Sequence, residues 1–592
     1  MRNHNNILLL AGLFLFALFS CQKDSDLESE EEQVDNSQST VDETLSSNSD
    51  DHETSADYVW DNSEVIPVVL NGSSITVSSS GATASGGKLT ITSAGNYSFS
   101  GSLTDGQIVV NTTDAATVRL ILNGATIHSS TSAPIYIKSS AKTVIVLADN
   151  TTNKLSDGTT YTYDVVADEE PNATIFSKSN LSIFGSGSLT IESNFNDAIN
   201  TKDGLVIKSG TLNITSADDG IRGKDYVVIR DGNITINSKG DGIKSDNDEN
   251  TGKGYVLIEK GTFAFTTGAD GIQAETDVLI DAGKFTLTTA GGSSQTIAST
   301  LSAKAIKGGA SVIIDDGTFT INSADDALHS NGSIAVNGGT FTIATGDDAV
   351  HADTALGVSG GNILITRCYE GLESKTIIIN KGEIRLTASD DGNNGSDGTS
   401  STTGGGMGGF PGQGGGGMSS GNAYFYMNGG YVFVNAGGDG VDVNGSCEMN
   451  GGTLIVNGPT DNGNGPLDYD GTFKITGGTL LAVGSSGMAQ APGSSSSQYS
   501  ILLNLSSAKT AGTLVHFQTS DSKELFTFAP AKKYQSIVYS SSSISNGTSV
   551  DVYFGGSSTG TVSDGMYTDG TYSGGTKYTT ISVSGITTTV TR

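Results

Sequence analysis

A unit of 22 residues recurs along this chain, and it constrains the fold more than any other feature of the sequence. Each unit begins with glycine and contains three short apolar segments separated by turns, none long enough for a helix. Alternation in "TLNIT" places Leu212 and Ile214 on one face of a strand. A period of this length is typical of solenoids. Five copies are Gly210–Asp231, Gly261–Ala282, Gly317–Gly338, Gly339–Gly360 and Gly430–Gly451.

These repeats predict an all-β fold, a right-handed parallel β-helix with about 22 residues per coil. Equivalent side chains of successive coils would then stack about 4.8 Å apart. We expect the repeat domain to occupy residues 181–493, after an N-terminal β cap and opening coils at 58–180. Residues 494–592 hold strand-like runs without the acidic repeat unit, and they predict a C-terminal β-rich cap or domain.

The first 57 residues have a different composition. Arg2 precedes an apolar run over Ile7–Phe19 that is too short to span a bilayer. It predicts a signal peptide at residues 1–20. The run ends in "LFSC", which resembles a bacterial lipoprotein signal with Cys21 as the lipidated residue. The alternative is an ordinary secretory signal with a coincidental cysteine. The polar, acidic residues 21–57 predict a disordered tether, and hence a lipid-anchored protein of the outer membrane or cell surface.

Charge and cysteine content narrow the function classes. The formal net charge is −32, which excludes nucleic acid as a partner because phosphate binding needs clustered Lys and Arg. An acidic surface suits cations or neutral polymers. After Cys21 only Cys368 and Cys447 remain, too few for a disulfide framework. They predict buried thiols rather than a nucleophile, and we expect a monomer.

Acidic residues recur at one position of successive units, just before an inward apolar residue such as Ile221. We expect these acids to lie at a turn and face solvent. Neighbouring carboxylates would repel by roughly 3 kcal/mol at an effective dielectric of about 20. Water and salt, raised pKa values or bound cations would relieve this repulsion. Alternatively, the aspartates are turn residues that bond to the local backbone, which explains one aspartate per turn better than two.

The densest acidic patch lies in three successive units around "GDGIKSDNDENTGKG" (Gly240–Gly254). Carboxylates without cysteine or paired histidine suit a hard cation, and a loop of this kind suits Ca²⁺ better than Mg²⁺. A hydrated acidic insertion is the alternative. The predicted metal ligands are Asp218, Asp219, Asp241, Asp246, Asp248, Asp270 and Glu275.

The polar positions around these acids form a stripe several residues wide, in which two histidines stack one coil apart. We predict that this stripe binds the ligand. Its candidate contacts are Arg222, Lys224, Lys244, Asp325, Asp326, His329, Asp347, Asp348 and His351. A stripe merely inherited by duplication of turns is the alternative reading.

Several motifs resemble a bacterial carbohydrate-binding, polysaccharide-lyase-like β-helix family. They are "ADDGIRGKD", "GDGIKSDNDE", "DGIQAETD" and "DEEPNATIFSKSNLSIFGSGSLTI", with the C-terminal "AGTLVHFQTSDSKELFTFAPAKKYQSIVYSS". The resemblance covers nearly everything after residue 60. It implies an extracellular right-handed β-helix that binds Ca²⁺ through the acids of these motifs. It also implies plant-type polysaccharide ligands, either acidic pectin-like sugars or cellulose, and no established catalysis.

Three functions remain open from the sequence. The favoured one is a non-catalytic binding module, in which Ca²⁺ bridges the protein's acids to uronate carboxylates. The second is a calcium-dependent lyase of the pectate-lyase type, with Lys224, Lys244 or Arg222 as the base. The third is a structural surface adhesin. An aromatic platform for cellulose is not evident in the repeats, since the single tryptophan, Trp60, precedes them.

Overall fold

The computed structural model describes residues 37–163, 167, 169–396 and 421–592. Strands dominate this part of the chain. One α-helix, Val41–Leu45, and two 3₁₀ helices, Ser55–Tyr58 and Asn62–Glu64, are short. A single sheet of mostly parallel pairings joins 47 strands. The all-β class is therefore confirmed, and a large parallel sheet of this kind is consistent with a solenoid.

In the repeat region most strands pair with the third strand after them, so three parallel ladders form. Around Val350–Val358 and Leu372–Ile379, where segments of two ladders merge into one strand, the partner is the second strand after. Partners in several successive pairs lie 22 residues apart. We name the ladders by their pattern. The alternating ladder comprises Val118–Ser129, Thr152–Asp157, Ser188–Glu192, Thr211–Ser216, Asn233–Ser238, Thr262–Thr267, Lys284–Thr289, Thr318–Ser323, Thr340–Thr345, Asn362–Cys368, Glu383–Ala388, Tyr431–Ala436, Thr453–Asn457 and Thr479–Gly484.

The short ladder follows the alternating one in each repeat. It comprises Lys88–Ile91, Gln107–Asn111, Ile135–Ser139, Ala173–Ser177, Asp197–Thr201, Ile221–Gly223, Ile243–Ser245, Ile272–Ala274, Ile306–Gly308, Leu328–Ser330, Val350–Val358, Leu372–Ile379, Asn393–Gly395, Val441–Val443 and Asp468–Tyr469. The apolar ladder comes third. It comprises Thr143–Leu147, Leu181–Gly185, Gly204–Ile207, Tyr226–Ile229, Tyr255–Ile258, Asp277–Ile280, Ser311–Ile314, Ser333–Val336, Ala423–Met427, Gly445–Met449 and Phe473–Ile475, joined by parts of Val118–Ser129, Val350–Val358 and Leu372–Ile379.

Both ends of the ladders carry further strands. Those before the repeats are Val65–Gly72, Ile75–Val77, Ala82–Ser85 and Gly95–Leu103. After the repeats, Tyr534–Ser540 pairs antiparallel with the last strand of the alternating ladder, and Ser500–Lys509 and Thr587–Thr591 extend the same sheet. A six-stranded sheet holds Val515–Thr519, Glu524–Phe528, Ser549–Phe554, Thr561–Ser563, Met566–Thr568 and Thr576–Ser582, and Ser557–Ser558 pairs with Tyr572–Ser573.

The alternating ladder buries every second side chain in a core of stacked equivalents. Phe263, Phe285, Phe319 and Phe341 stack face to face, with ring centroids 4.7, 4.7 and 4.5 Å apart. A backbone constraint explains why glycine precedes the strand Thr262–Thr267. At Gly261 φ is +142°, and an added Cβ would lie 2.8 Å from the carbonyl oxygen of Gly232.

From Gly204 to Val336 the apolar ladder is buried on both faces, because a segment of the N-terminus covers its outer side. We call this segment, residues 37–60, the strap. Val41 packs on an outward row that includes Val228, Tyr255 and Leu257. The backbone N–H of Val41 donates to Asp315 Oδ2 at 3.0 Å, and the Tyr255 hydroxyl donates to the carbonyl of Ser49 at 2.8 Å.

The predicted tether over residues 21–57 is therefore wrong for its described part, residues 37–57. The strap has little hydrophobicity of its own, but the outward apolar row needs a cover, and the strap supplies it. Arg230 holds the strap further by pairing with Asp51 and with Glu53. The predicted signal peptide, Cys21 and residues 22–36 lie outside the described residues. No helix in the described part of the chain is both long and apolar enough to cross a membrane.

His52 makes strap docking sensitive to pH. Its backbone N–H donates to the Tyr226 hydroxyl at 2.9 Å, and Nε2 lies 2.9 Å from Ser182 Oγ. Burial, helped by nearby Lys142, lowers the pKa of His52 to about 4. The pKa of an unfolded histidine is about 6.5. Docking is therefore strongest above about pH 6.5 and weakens as the pH falls toward 4, because only the released strap takes up the proton readily.

Hydrogen-exchange protection factors of residues 37–60 should accordingly fall between pH 7.5 and pH 4.5. In His52→Gln this pH dependence should shrink, since glutamine keeps a hydrogen-bonding group but does not titrate. An equal loss of protection in both proteins would contradict the assignment.

Candidate functional site

A column of buried acids runs along the turn that precedes the short ladder. Each carboxylate accepts a hydrogen bond from the backbone N–H of the equivalent residue in the next turn. Examples are Asp219 N to Asp197 Oδ1 at 3.2 Å, Asp241 N to Asp219 Oδ1 at 2.8 Å, and Asp270 N to Asp241 Oδ1 at 2.9 Å. All members except Asp391 are at most 9% exposed. The aspartate column comprises Asp197, Asp219, Asp241, Asp270, Asp326, Asp348, Asp391 and Asp439.

The expectation that these acids face solvent is wrong for the inner aspartate of each pair. A buried N–H without an acceptor costs about 1–3 kcal/mol, and the carboxylate of the preceding turn supplies that acceptor. The outer aspartates Asp218 and Asp347 are exposed. The two aspartates of a pair thus have different roles. The inner one joins successive turns by a hydrogen bond, and the outer one faces water.

Lysine replaces aspartate in one turn of the column. The backbone N–H of Lys304 donates to Asp270 Oδ1 at 2.7 Å. Its ammonium lies 2.8 Å from Asp325 Oδ1 and 3.0 Å from Asp326 Oδ2. The Lys304 ammonium therefore compensates the negative charge of Asp325 and Asp326. Lys304, Asp325 and Asp347 also line a cleft of about 510 Å³, walled by the inserted loop at residues 297–302.

Polar side chains at the middle position of the short ladder stand beside the column. The sequence-predicted stacking of His329 and His351 is confirmed, with ring centroids 5.0 Å apart and an interplanar angle of 17°. The row in register comprises Arg222, Lys244, Gln273, Lys307, His329, His351, Glu373, Asn394 and Asp442.

The basic members of this row are ion-pair partners of the acids. Lys244 Nζ lies 2.7 Å from Asp241 Oδ2, and Arg222 pairs with Asp246. Burial would lower the pKa of Lys244, but the Asp241 carboxylate outweighs burial and the pKa is raised. The pKa of Arg222 is likewise raised, by Asp246 against burial. A raised pKa is the opposite of what a general base needs. Lys224 lies 3.5 Å from Glu249.

His351 carries positive charge among three acids. Nδ1 lies 2.6 Å from Glu373 Oε2 and 3.4 Å from Asp348 Oδ2, and Nε2 lies 3.0 Å from Asp353 Oδ1. These carboxylates outweigh burial and raise the pKa of His351 to about 12. His329 Nδ1 lies 2.8 Å from Asp326 Oδ2. The stacked histidines are thus bound to column members, as Lys304 and Lys244 are.

The seven predicted metal ligands do not converge on one site. Among the described residues, Asp218 and Asp219 alone of the seven belong to a group of acids whose oxygens lie within 4.8 Å of one another, and Asp197 completes that group. Asp241 and Asp270 are column members, Asp246 pairs with Arg222, and Asp248 and Glu275 are exposed. Positive side chains between the acids already compensate this patch.

The sequence-based predictions did not include a cluster of three acids whose negative charge is not compensated by a neighbouring basic side chain among the described residues. Carboxylate oxygens of Asp391, Asp439 and Asp442 lie within 4.8 Å of one another. Burial, with repulsion between these acids, raises the pKa of Asp391 to about 6 and those of Asp439 and Asp442 to about 7. In the described part of the chain, no Lys, Arg or His nitrogen lies within 4.0 Å of these carboxylates. We call these three residues the Asp391 cluster.

The sequence contains a signal for this cluster. In the unit Gly430–Gly451, Asp442 occupies the position that Arg222 holds in the first unit and His351 holds in a later one. An acid replaces a base there, while the column aspartate Asp439 is kept. The local excess of negative charge could have been read from the repeat alignment.

Part of this chain is similar in sequence to known proteins. Residues 85–349 match the family described as carbohydrate-binding domain-containing protein. That stretch includes the aspartate column from Asp197 to Asp348. A carbohydrate-binding domain-containing protein of Acetivibrio thermocellus is 38% identical over 159 residues, which are 27% of this chain and 52% of the relative. This chain therefore spans about half the length of that curated relative.

A solved structure adds a further similarity. It is that of the polysaccharide lyase-like protein from C. thermocellum, in a gadolinium derivative, with 28% identity and a TM-score of 0.37. The match covers 50% of this chain and 96% of the solved one.

The column predicts unequal roles for the two aspartates of the first repeat unit, Gly210–Asp231. Asp219→Ala leaves the buried N–H of Asp241 without an acceptor and should lower the free energy of unfolding by roughly 1–3 kcal/mol. Asp218→Ala, at the exposed neighbour, should change it by less than about 0.5 kcal/mol. Urea denaturation at pH 7 measures both. Asp219→Asn, which keeps an acceptor oxygen, should fall between them, and equal effects of the two alanine variants would refute the column's structural role.

Proposed function

We propose that this chain is a non-catalytic carbohydrate-binding lipoprotein, anchored to the outer membrane or cell surface through Cys21. Its ligand is a plant-type polysaccharide, foremost an acidic pectin-like chain, bound with the help of Ca²⁺. The observation that carries the proposal is the match of residues 85–349 to the carbohydrate-binding family, over a stretch that includes the polar row from Arg222 to His329. The protein acts as a monomer.

We further propose that the three ladders wind as a right-handed parallel β-helix of about 22 residues per coil. Partner separations of 22 residues support the period. The strong preference of parallel crossovers for the right hand supports the handedness. Such winding sets the short ladder's polar row in line, as a long face for an extended polymer.

For Ca²⁺, the Asp391 cluster fits best among the described acids. It offers only carboxylate oxygens, the donors that Ca²⁺ prefers. Two oxygens bound to one Ca²⁺ at 2.3–2.6 Å lie no more than about 5 Å apart, which matches the 4.8 Å limit of the cluster. The group of Asp197, Asp218 and Asp219 is the second candidate. Arg222 at 4.0 Å and Asn200 at 2.7 Å from Asp197 already compensate that group.

The polysaccharide would lie along the row in front of the column. Lys224, Lys244 and Arg222 can donate to hydroxyl or carboxylate oxygens while they pair with the acids. Asp325 and Asp347 line the 510 Å³ cleft. His329 and His351 are partly exposed in the row. Asp326 and Asp348 are buried in the column, so they support these side chains and do not themselves contact the ligand.

Calcium binding has a pH signature. The raised pKa values of the Asp391 cluster, about 6 to 7, lie above the unfolded aspartate value of about 3.9. Stability without cation therefore falls as the pH rises from about 4 to about 7, because the folded state must give up protons that it holds more tightly. Ca²⁺ should raise the melting temperature more at pH 8 than at pH 5, measured on the full chain against EDTA.

Asp442→Asn should diminish this calcium effect, and the exposed Asp461→Asn should leave it unchanged. If Ca²⁺ stabilises the Asp442 variant as much as the parent chain, the ion does not bind at the cluster.

Isothermal titration tests the ligand. Polygalacturonate should bind in the presence of Ca²⁺ and lose most of its affinity in EDTA, because the uncompensated acids then repel the uronates. Binding that persists unchanged in EDTA would exclude a bridging role for Ca²⁺. The absence of binding to any glycan would favour the surface-adhesin function instead.

The pectate-lyase alternative predicts a new absorbance. Elimination from polygalacturonate with Ca²⁺ would yield an unsaturated product that absorbs in the ultraviolet. We expect no such product, since the pKa of Lys244 and that of Arg222 are raised rather than lowered. Product formation that disappears in Lys224→Ala or Lys244→Ala would establish the lyase and contradict a purely binding role.

A further inference from the structure

A cleft of about 820 Å³ opens where the C-terminal end of the strap meets the corner between the apolar and alternating ladders. Its volume falls within the range of about 300–1,000 Å³ that is typical of ligand pockets. Tyr58 and Trp60 of the strap form one wall with Phe184. The floor consists of equivalent corners from four successive turns, at residues 147–149, 184–186, 209–211 and 231–233.

Packing contacts and a hydrogen bond fix the aromatic side chains of this wall. The rings of Tyr58 and Phe184 lie 4.7 Å apart between centroids. Trp60 is partly exposed and packs against the buried group of Ile121, Val144 and Val146. Its indole Nε1 donates to Asn62 Oδ1 at 3.1 Å, which fixes the direction of the ring. Aromatic faces that are positioned yet accessible are a recurring means of binding amphipathic rings.

Polar residues also line the cleft. Asn123, Asp149, Ser186, Ser209 and Asn233 bring amide, hydroxyl and carboxylate groups to its lining. A pyranose ring has an apolar face of C–H groups and a rim of hydroxyls. A flat apolar wall with hydrogen-bonding groups along its edge therefore matches a sugar ring better than it matches a wholly apolar ligand.

The charge of the lining selects among sugars. None of the residues that line the cleft is Lys, Arg or His, and two are aspartates, Asp149 and Asp231. Asp231 pairs with Lys260 at 3.4 Å, but no ion pair of Asp149 is found among the described residues, so a uronate carboxylate would meet repulsion beside Asp149. In the described part of the chain, no group of three converging acids includes a residue of this cleft. The lining thus favours a neutral glycan and gives Ca²⁺ no carboxylate cluster to bind.

The dimensions suit a chain of sugars. Successive corners of a parallel ladder lie about 4.8 Å apart, so four corners extend over about 14 Å. An extended glycan can lie across these corners while one ring stacks on the aromatic wall.

We propose that this cleft is a second carbohydrate site, which binds a neutral pyranose chain without Ca²⁺ and stacks one ring on Trp60. The ligand class rests on the proposed carbohydrate-binding function. The site depends on neither the acidic face nor the Asp391 cluster.

The chain itself contains the reporter for the test. Trp60 is its single tryptophan, so intrinsic tryptophan fluorescence of the full chain reports on this wall alone. Titration with cellohexaose in EDTA should change the Trp60 emission saturably. Calorimetry with the same probe should show at least a tenfold loss of affinity in Trp60→Ala and a smaller loss in Trp60→Phe, which keeps an aromatic face.

Tyr424→Ala serves as the matched control, since Tyr424 is an exposed aromatic of the apolar ladder that does not line the cleft. Its affinity for cellohexaose should equal that of the parent chain. Unchanged affinity in Trp60→Ala, or no binding of cellohexaose by the parent chain, would overturn the proposal.

A parallel titration separates this proposal from the function of the acidic face. Polygalacturonate with Ca²⁺ should bind Trp60→Ala as it binds the parent chain. If polygalacturonate fails to bind the parent chain while cellohexaose binds in EDTA, the acidic-face proposal fails and the cleft stands. If polygalacturonate binds and cellohexaose does not, the cleft proposal alone is overturned.

Discussion

In-register parallel pairing sets every side chain of the repeats against its own equivalent in the next turn, about 4.8 Å away. For apolar residues this is favourable, as the stack from Phe263 to Phe341 shows. For aspartate it places like charges side by side, out of water. The column resolves the conflict by making each carboxylate the acceptor for the backbone N–H of the equivalent residue in the next turn. The group that repels its neighbour also satisfies that neighbour's backbone.

The number of basic side chains that compensate the remaining negative charge differs along the column. The middle turns therefore differ from the turns of the Asp391 cluster. Lys244, Lys304 and His351 supply positive charge to the middle turns. At the Asp391 cluster no such side chain is present among the described residues. The pKa values of its acids are raised by burial, as that of Asp219 is in a turn with a nearby cation. A face built from one repeated motif thus contains turns that need no ion and turns that an ion would stabilise.

The strap adds a second level of organisation. It covers the outward row of the apolar ladder, and the same segment supplies Tyr58 and Trp60 to the aromatic cleft. The two candidate binding surfaces therefore have different origins. The acidic face consists of repeated turns, whereas the cleft forms where a non-repetitive segment docks onto the ladders.

The sequence by itself determined the all-β class and the stacking of His329 on His351, because strand alternation and repeat period are local and periodic properties. Four apolar residues in a row at Tyr226–Ile229 also indicate a strand that is buried on both faces. Such a strand needs a segment that covers its outer face, which is the role of the strap. Only the tertiary structure decided which segment covers that strand and which way Asp219 points. Both depend on groups brought near by the fold: the acidic residues 37–57 have too little hydrophobicity to order alone, and the N–H that binds Asp219 belongs to the next turn.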